Sequence, residues 1–339
     1  MPHIKKNIVI DLRPIQKFQD NGVCISQKHL INQLLKDHSH KANFYLFSSG
    51  KQKPLIKFKG RFQHKHIFLP NKILTLLFKF KIIKLNHFFK KTIHSYYCPD
   101  LRLINLGENC KHIQYIHDLA FTKFKESLSL KSKIHYWLLN FTQFTKSIDN
   151  ILTNSNFSKQ EIQKKCTNQK IKIIKLGFPK VKTTTSNAKK NGFICINSLH
   201  KRKAFEKIIE FNNKLNLSKE PINIYGVQEK NFKRIQTIKA ENISFHGHLP
   251  EKDKAQTIKE HKALLYFSHY EGFGLPILEA LNLKVPVISN TNPTFKELHK
   301  QQINYIESLK NLDNLKIGEN KYKNQLKKAA RQLWKQITC

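Results

Sequence analysis

Runs of β-branched and aromatic residues recur along this chain, each followed by a turn signal and a stretch with helical spacing. The first, NIVIDL, is apolar at consecutive positions and reads as a buried strand. A polar loop ending at Asn21-Gly22 follows, then a helical pattern from about Ser26 to Lys36, so the chain opens as strand, glycine turn and helix. NFYLFSS, HIFLP, SYYCP, HIQYIHDLAF, NILTNS and IKIIKLG continue as strand candidates with helical segments between them. This alternation predicts an α/β layer around a parallel sheet.

The run LGFPKVKTTTSNAKKNG, residues 176–192, interrupts the pattern and reads as a linker rich in Thr, Ser, Asn and Lys. The alternation restarts with GFICINS, a helix from about Lys203 to Leu215, PINIYG, NISFHG, a helix from about Lys252 to Glu260, ALLYFS, a helix at PILEAL and VPVISN. With 339 residues the chain suits two such halves of roughly 150 residues each.

One segment, KILTLLFKFKIIKLNHFFKKTIH at residues 72–94, is apolar on most faces yet carries six lysines. Two readings stand. It is a helix lying on an anionic leaflet with its lysines at the headgroups, or a core-packed helix whose lysines snorkel to water.

Composition limits the function classes. The formal net charge of +38 invites a polyanionic partner. Only six of the 61 basic residues are arginine, however, and the lysines are spread along a chain also rich in Asn, Ile and Phe, a pattern that resembles A/T-rich coding bias. Without an arginine-rich tail or a basic-aromatic motif, nucleic acid is disfavoured as a partner. The six cysteines form no Cys-x-x-Cys pair, which argues against a disulfide framework or a zinc site. No stretch approaches the roughly 18 apolar residues of a spanning helix, and the N-terminus shows no signal-peptide pattern. The expectation is a soluble, cytoplasmic chain.

The densest chemistry lies between Ser268 and Leu298. Glu271 and Glu279 stand eight positions apart around a Gly-Phe-Gly-Leu-Pro turn, and Pro276 is suited to open a helix. On this reading Glu279 falls in the first helical turn and both carboxylates converge near a helix N-terminus, which attracts phosphate. Lys201, Arg202 and Lys203 leave the first strand of the second half, at the strand end where open α/β sheets bind ligands. Arg202 supplies a planar, forked donor in a chain that otherwise uses lysine. His117 and Asp118 follow an apolar strand in the first half, Gly22 would let backbone approach a phosphate, and Ser155 could cap a helix. No two aspartates are two positions apart, so the chain has no Asp-x-Asp metal clamp.

The segment SHYEGFGLPILEA resembles the hallmark of family 4 retaining glycosyltransferases, also called glycosyl transferases group 1. SLHKRKAF, IHDLAF, ILTNSNFSK, FHGHLP and the terminal RQLWKQI with Trp334 are similar to further family segments, in the family's order. The resemblance implies the GT-B fold: two Rossmann-like domains facing across a cleft, with a C-terminal helix crossing back to the first domain. The implied boundaries are 1–180 for the acceptor domain, 181–325 for the nucleotide-sugar domain and 326–339 for the terminal helix. The implied activity is transfer of a hexose from a nucleotide-sugar donor to a glycan or lipid-linked acceptor in cell-surface polysaccharide or lipopolysaccharide synthesis. The expected place is the cytoplasm, and the inner face of an anionic membrane if the 72–94 segment follows the first of its two readings. Beyond the donor substrate no cofactor and no metal are implied.

Carried over by position, Arg202 and Lys203 would hold the diphosphate and Glu279 the ribose hydroxyls. Glu271, Phe273, Gly274 and Leu275 would hold the donor sugar and its phosphate, His117 would contact that sugar, and Gly22 would lie near the phosphates. The chain departs from the pattern at Ala204, where the family has Asn, at Lys284, where it has Gly, and at Lys296, where it has Pro. The alternative from another class is a noncatalytic protein of the same fold that holds an anionic polymer or nucleic acid on its basic surface.

Overall fold

The computed structural model describes residues 5–16, 22–55, 57–166, 170–179, 190–197, 201–217, 219–226, 240–313, 315–321 and 324–338. Asn21, residues 180–189 of the expected linker, Ser198 to His200 and Cys339 lie outside the described residues, as does the side chain of Lys201. The chain divides into two compact units. Unit 1 comprises Met1–Leu119, Ser129–Phe178 and Asn324–Cys339; unit 2 comprises Ala120–Leu128 and Pro179–Lys323.

The elements up to Ile173 are β1 (Asn7–Asp11), α1 (Gly22–His38), β2 (Asn43–Ser49), β3 (Gln63–Ile67), α2 (Asn71–Lys79), β4 (Ser95–Cys98), β5 (Lys111–Tyr115), α3 (Ala120–Lys123), α4 (Leu130–Leu139), α5 (Phe141–Thr145), β6 (Asn150–Thr153), α6 (Asn156–Gln163) and β7 (Lys170–Ile173). After them come β8 (Asn191–Ile196), α7 (Glu206–Lys214), β9 (Ile222–Tyr225), β10 (Ile243–Gly247), α8 (Glu251–Lys259), β11 (His261–Leu265), α9 (Leu275–Asn282), β12 (Val287–Ser289), α10 (Pro293–His299), β13 (Asn304–Tyr305) and α11 (Gln325–Thr338).

Unit 1 is built on a seven-stranded sheet in the order β3-β2-β1-β4-β5-β6-β7, with every pairing parallel. The apolar runs of inner strands such as β1 and β2 follow from this arrangement, because parallel sheets are covered on both faces, whereas the edge strands β3 and β7 mix polar and apolar residues. Ile8, Val9 and Ile10 of the central β1 are completely buried. Val9 packs with Leu74 and Phe78 of α2 and with Tyr96 of β4, while α11 packs against α1. In that helix pair the Trp334 ring stacks on His38 with centroids 4.7 Å apart, and the Ser95 hydroxyl donates to Ile337 O at 2.6 Å.

The expectation of a single helix over residues 72–94 is corrected. Helix α2 stops at Lys79 because Lys81 takes a left-handed conformation, φ 59°, and closes a Schellman cap. Ile82 N–H donates to Leu77 O at 2.9 Å and Lys81 N–H to Phe78 O at 3.1 Å. A short 3-10 turn at Leu85–Phe88 follows. Leu74, Phe78, Leu85 and Ile93 are buried, whereas Phe80 and Ile82 are 67% and 64% exposed.

Unit 2 repeats the plan with a six-stranded parallel sheet, β10-β9-β8-β11-β12-β13. Alternate residues of β8 face opposite layers. Phe193 packs with Ile208 and Phe211 of α7, and Ile194 packs with Ile258 of α8 and Ile277 of α9. The order reverses between β8 and β11, which makes the crevice at their carboxyl ends the place where such a sheet receives ligands.

Candidate functional site

The two loops that leave β8 and β11 meet at that reversal. Lys201–Lys203 forms a 3-10 turn after β8, and Ala204 follows it in the left-handed region, φ 42°, with no exposed surface. Residues 266–274 leave β11 and turn into α9 at Gly274. Gly274 has φ 85°, and a Cβ there would come within 3.0 Å of the Phe295 ring, so both conformation and space select glycine.

Glu271 is the centre of this loop, buried to 7% exposure. The Lys203 ammonium forms a short ion pair with Glu271 Oε1, and Arg202 Nη1 lies 3.3 Å from the same oxygen. The Tyr266 hydroxyl donates to Oε1 at 3.2 Å and accepts from Lys203 Nζ at 3.0 Å, while the Ser268 hydroxyl is 3.0 Å from Oε1. Arg202 also donates to Tyr270 O at 3.1 Å, and His269 N–H donates to Arg202 O at 2.8 Å, so the two loops are stitched together. Burial works against ionising Glu271. Lys203 and Arg202 overcome it, and with the bonds from Lys203 and Ser268 they hold its pKa down to about 2. Burial and Glu271 together push the Tyr266 phenol well above its ordinary value, so it remains a neutral donor.

Residues that sequence reasoning did not single out brace the loop. Asn290 accepts from Ser268 N–H at 2.8 Å and donates to Ser268 O at 3.0 Å. Thr294 donates to Glu271 O at 2.6 Å, and His299 Nε2 lies 3.1 Å from Phe273 O. Asn292 caps α10 by accepting from Phe295 N–H at 2.9 Å. Asn292 also donates from Nδ2 to Ser268 O at 3.1 Å, so the capping residue braces the loop as well. Phe273 is buried, so its side chain belongs to the core and only its backbone faces the turn, while Leu275 is half-buried.

The expected placement of Glu279 is corrected. Helix α9 begins at Leu275, Pro276 is its second residue, and Glu279 therefore lies beyond the first turn, which holds no acid. Its carboxylate, 7% exposed, is 2.5 Å from Lys254 Nζ on α8. Burial raises the Glu279 pKa, and Lys254 acts against that rise. The two glutamates thus have separate cationic partners and opposite shifts. At the end of α9 Lys284 is left-handed, φ 58°, and Val285 N–H donates to Ala280 O at 2.9 Å, the cap that a glycine normally serves.

His117 and Gly22 belong to unit 1. His117, 8% exposed, follows β5 with Nε2 at 3.0 Å from Pro99 O and 3.3 Å from Gln27 Nε2. Gln27 lies on α1, which Gly22 opens, and accepts from the Tyr97 hydroxyl at 2.7 Å. The carboxyl ends of β4 and β5 and the start of α1 therefore come together around His117. Asp100 is half-buried and close enough to interact with it; desolvation raises the Asp100 pKa while His117 lowers it. Ser155 caps α6, accepting from Ser158 N–H at 3.1 Å. Among the described residues no group of three or more His, Cys, Asp or Glu could hold a metal ion.

Residues 179–331 match the family Glycosyl transferases group 1, which identifies that part of the chain as a domain of this type. A segment of 56 residues is 38% identical to O-antigen chain mannosyltransferase B of Escherichia coli; the match takes in 16% of this chain and 15% of that protein's length. The structure of sucrose-phosphate synthase from Thermosynechococcus elongatus superposes with a TM-score of 0.63 at 13% identity, over 98% of this chain and 96% of that one. That of WaaG, a glycosyltransferase involved in lipopolysaccharide biosynthesis, gives 0.60 at 13% identity, over 97% and 92%. The structure of Anabaena HepE in complex with UDP and glucose gives 0.56 at 15% identity, over 98% and 92%. The fold of this chain is GT-B, with two parallel-sheet α/β domains.

Proposed function

We propose that this chain is a retaining glycosyltransferase of family 4 that moves a hexose from a nucleotide-sugar donor to a glycan or lipid-linked acceptor in cell-surface polysaccharide or lipopolysaccharide synthesis. The observation that carries the reading is the Glu271 carboxylate, buried and ionised between Lys203 and Arg202 at the switch point of a six-stranded parallel sheet. The group 1 match over 179–331 and the E. coli mannosyltransferase segment support it, as do relatives of the same fold whose names include lipopolysaccharide biosynthesis and a complex with UDP and glucose.

Breaking the bond between the anomeric carbon and the diphosphate oxygen leaves positive charge on the sugar ring and negative charge on the diphosphate. In this reading Arg202, whose side chain is 23% exposed against 6% for Lys203, gives the diphosphate its direct forked donor. Lys203 adds charge from beneath, shared with Glu271. Glu271 and the backbone of Phe273, Gly274 and Leu275 receive the sugar and its phosphate, and Glu279 receives the ribose hydroxyls. His117 meets the sugar, Gly22 lies beside the phosphates, and the α9 N-terminus favours the anion. The acceptor oxygen attacks from the face that the diphosphate leaves, and its proton passes to the departing phosphate oxygen, so configuration is retained. The chain's own cations, in place of a metal ion, balance the leaving charge.

The surface of unit 1 supports a lipid-linked acceptor and a place at the cytoplasmic membrane face. Leu130, Ile134 and Trp137 line one side of α4 at 74%, 50% and 78% exposure, with Lys131 and Lys133 between them. Phe80 and Ile82 protrude among Lys79, Lys81 and Lys84. Between Asp37 and Asp100 the chain carries no acid, so the surface around Phe80 and Ile82 suits anionic headgroups with apolar side chains beneath them. Among the described residues no helix is long and apolar enough to cross a membrane.

A thermal-shift screen with UDP-, GDP-, ADP- and dTDP-sugars tests the reading. A cognate donor at 100 times its Kd adds about 2.7 kcal/mol of stability. Failure of all four classes to stabilise the chain would count against it.

A further inference from the structure

We infer that Lys254 is a positioning residue for Glu279, holding the buried carboxylate as an anion so that it accepts hydrogen bonds from the ribose and donates none. The inference deepens the proposed function and rests on its assignment of Glu279 to the donor ribose.

The packing of α8 on α9 delivers Lys254 to its partner. Ile258 of α8 is fully buried against Ile277, Ala280 and Leu281 of α9. Lys254 precedes Ile258 by four residues, so it lies on the same helix face and points toward α9. Its ammonium is 2.5 Å from Glu279 Oε2, with side chains 13% and 7% exposed, so the pair is closed off from most solvent. The nearby charged group on α8 is Glu251, 3.5 Å from Lys254 Nζ, which shares the cation and repels Glu279. From the end of β11 the Tyr266 phenol feels the Glu279 charge but remains neutral. Lys203 and Arg202 lie against Glu271 Oε1. Lys254 is therefore the cation set against Glu279's tendency to take up a proton.

The chemistry of the ligand makes the charge state matter. Glu279 Oε2 is closed off beside Lys254, so the two neighbouring ribose hydroxyls meet Oε1, whose two lone pairs can accept both when the carboxylate is ionised. A protonated carboxyl is a weaker acceptor and can carry its proton on the very oxygen that faces the two donors. Without Lys254, burial and Glu251 raise the Glu279 pKa further, the carboxyl fills with a proton as pH falls, and nucleotide affinity falls with it.

The test is the affinity of the full chain for uridine, guanosine and adenosine diphosphates, measured by titration calorimetry from pH 6.0 to 8.5. Wild type, Lys254→Gln, Lys254→Arg and Glu279→Gln are compared, with melting curves as the check on folding. Lys254→Gln should lose affinity progressively as pH falls, by about tenfold at the acid end for each unit by which the Glu279 pKa exceeds the pH. The wild type should lose less affinity over the same range than Lys254→Gln, Lys254→Arg should restore the wild-type profile, and Glu279→Gln should be weak at every pH. Wild-type binding together with a flat, undiminished Lys254→Gln profile would overturn the inference and leave the proposed function standing. A wild type that binds none of the three diphosphates would overturn the proposed function, and the inference with it.

Discussion

Lys203 and Glu271 are separated by 68 positions in the chain and form one buried ion pair, with side chains 6% and 8% exposed. They meet because the loops after β8 and β11 leave adjacent strands on the same edge of the sheet, at the reversal of strand order. Tyr266, Ser268 and Arg202 complete the shell around the carboxylate.

Removing one member of this pair strands the other charge. Lys203→Ala should cost on the order of 3–5 kcal/mol in urea unfolding at pH 7, and the double variant Lys203→Met with Glu271→Gln should recover part of that loss. Equal stability of Lys203→Ala and wild type would show that the pair does not exist in solution.

The pair also fixes an acid limb of stability. The Glu271 pKa is lowered in the folded chain, from 4.5 to about 2, so its stabilising contribution is complete above about pH 4.5 and is lost as pH falls toward 2. The stability gap between wild type and Glu271→Gln should therefore narrow through that window. A gap that is constant from pH 5 to pH 2.5 would contradict the assignment.

Lys284 gives a prediction of opposite sign. It closes α9 at φ 58°, where an L side chain is strained, and is exposed. Lys284→Gly should stabilise the chain by about 1 kcal/mol, read as a rise of roughly 2–4 °C in Tm. An unchanged or lower Tm would argue against a left-handed cap at this position.

The exposed α4 stripe predicts lipid binding. The chain should float with vesicles of phosphatidylglycerol and phosphatidylcholine at low salt and not with phosphatidylcholine alone. Leu130→Ser with Trp137→Ser should weaken this by about tenfold or more, since burying each side chain contributes about 1.5–3 kcal/mol. Equal flotation of the double variant, or salt-sensitive RNA binding in place of lipid binding, would contradict this part of the reading.

Much of the fold was legible because both sheets are parallel and covered on two faces, so strands such as NIVIDL and GFICINS appear as unbroken apolar runs. The neighbourhood of Arg202, Lys203 and Glu271 was legible too, since strand-end loops at a switch point converge whatever their separation in sequence. What the sequence concealed depends on tertiary contact. The break at Lys81 lies in a stretch with helical composition, and a left-handed lysine leaves no compositional mark. Glu279 was read from the proline that opens its helix, but its environment is decided by α8, where Lys254 is one lysine among many until Ile258 fixes which face meets α9. Asn290 and Thr294 likewise look like ordinary polar residues until their bonds to Ser268 and Glu271 are seen.

The most direct test of the central claim is donor turnover by the purified chain with the nucleotide sugar that stabilises it, comparing wild type with Glu271→Ala and Lys203→Gln and monitoring release of the nucleoside diphosphate. Release by the wild type is expected, with a loss of at least about 100-fold in kcat/KM for Glu271→Ala, the scale of removing one preorganised electrostatic group. Undiminished release by Glu271→Ala would contradict that claim.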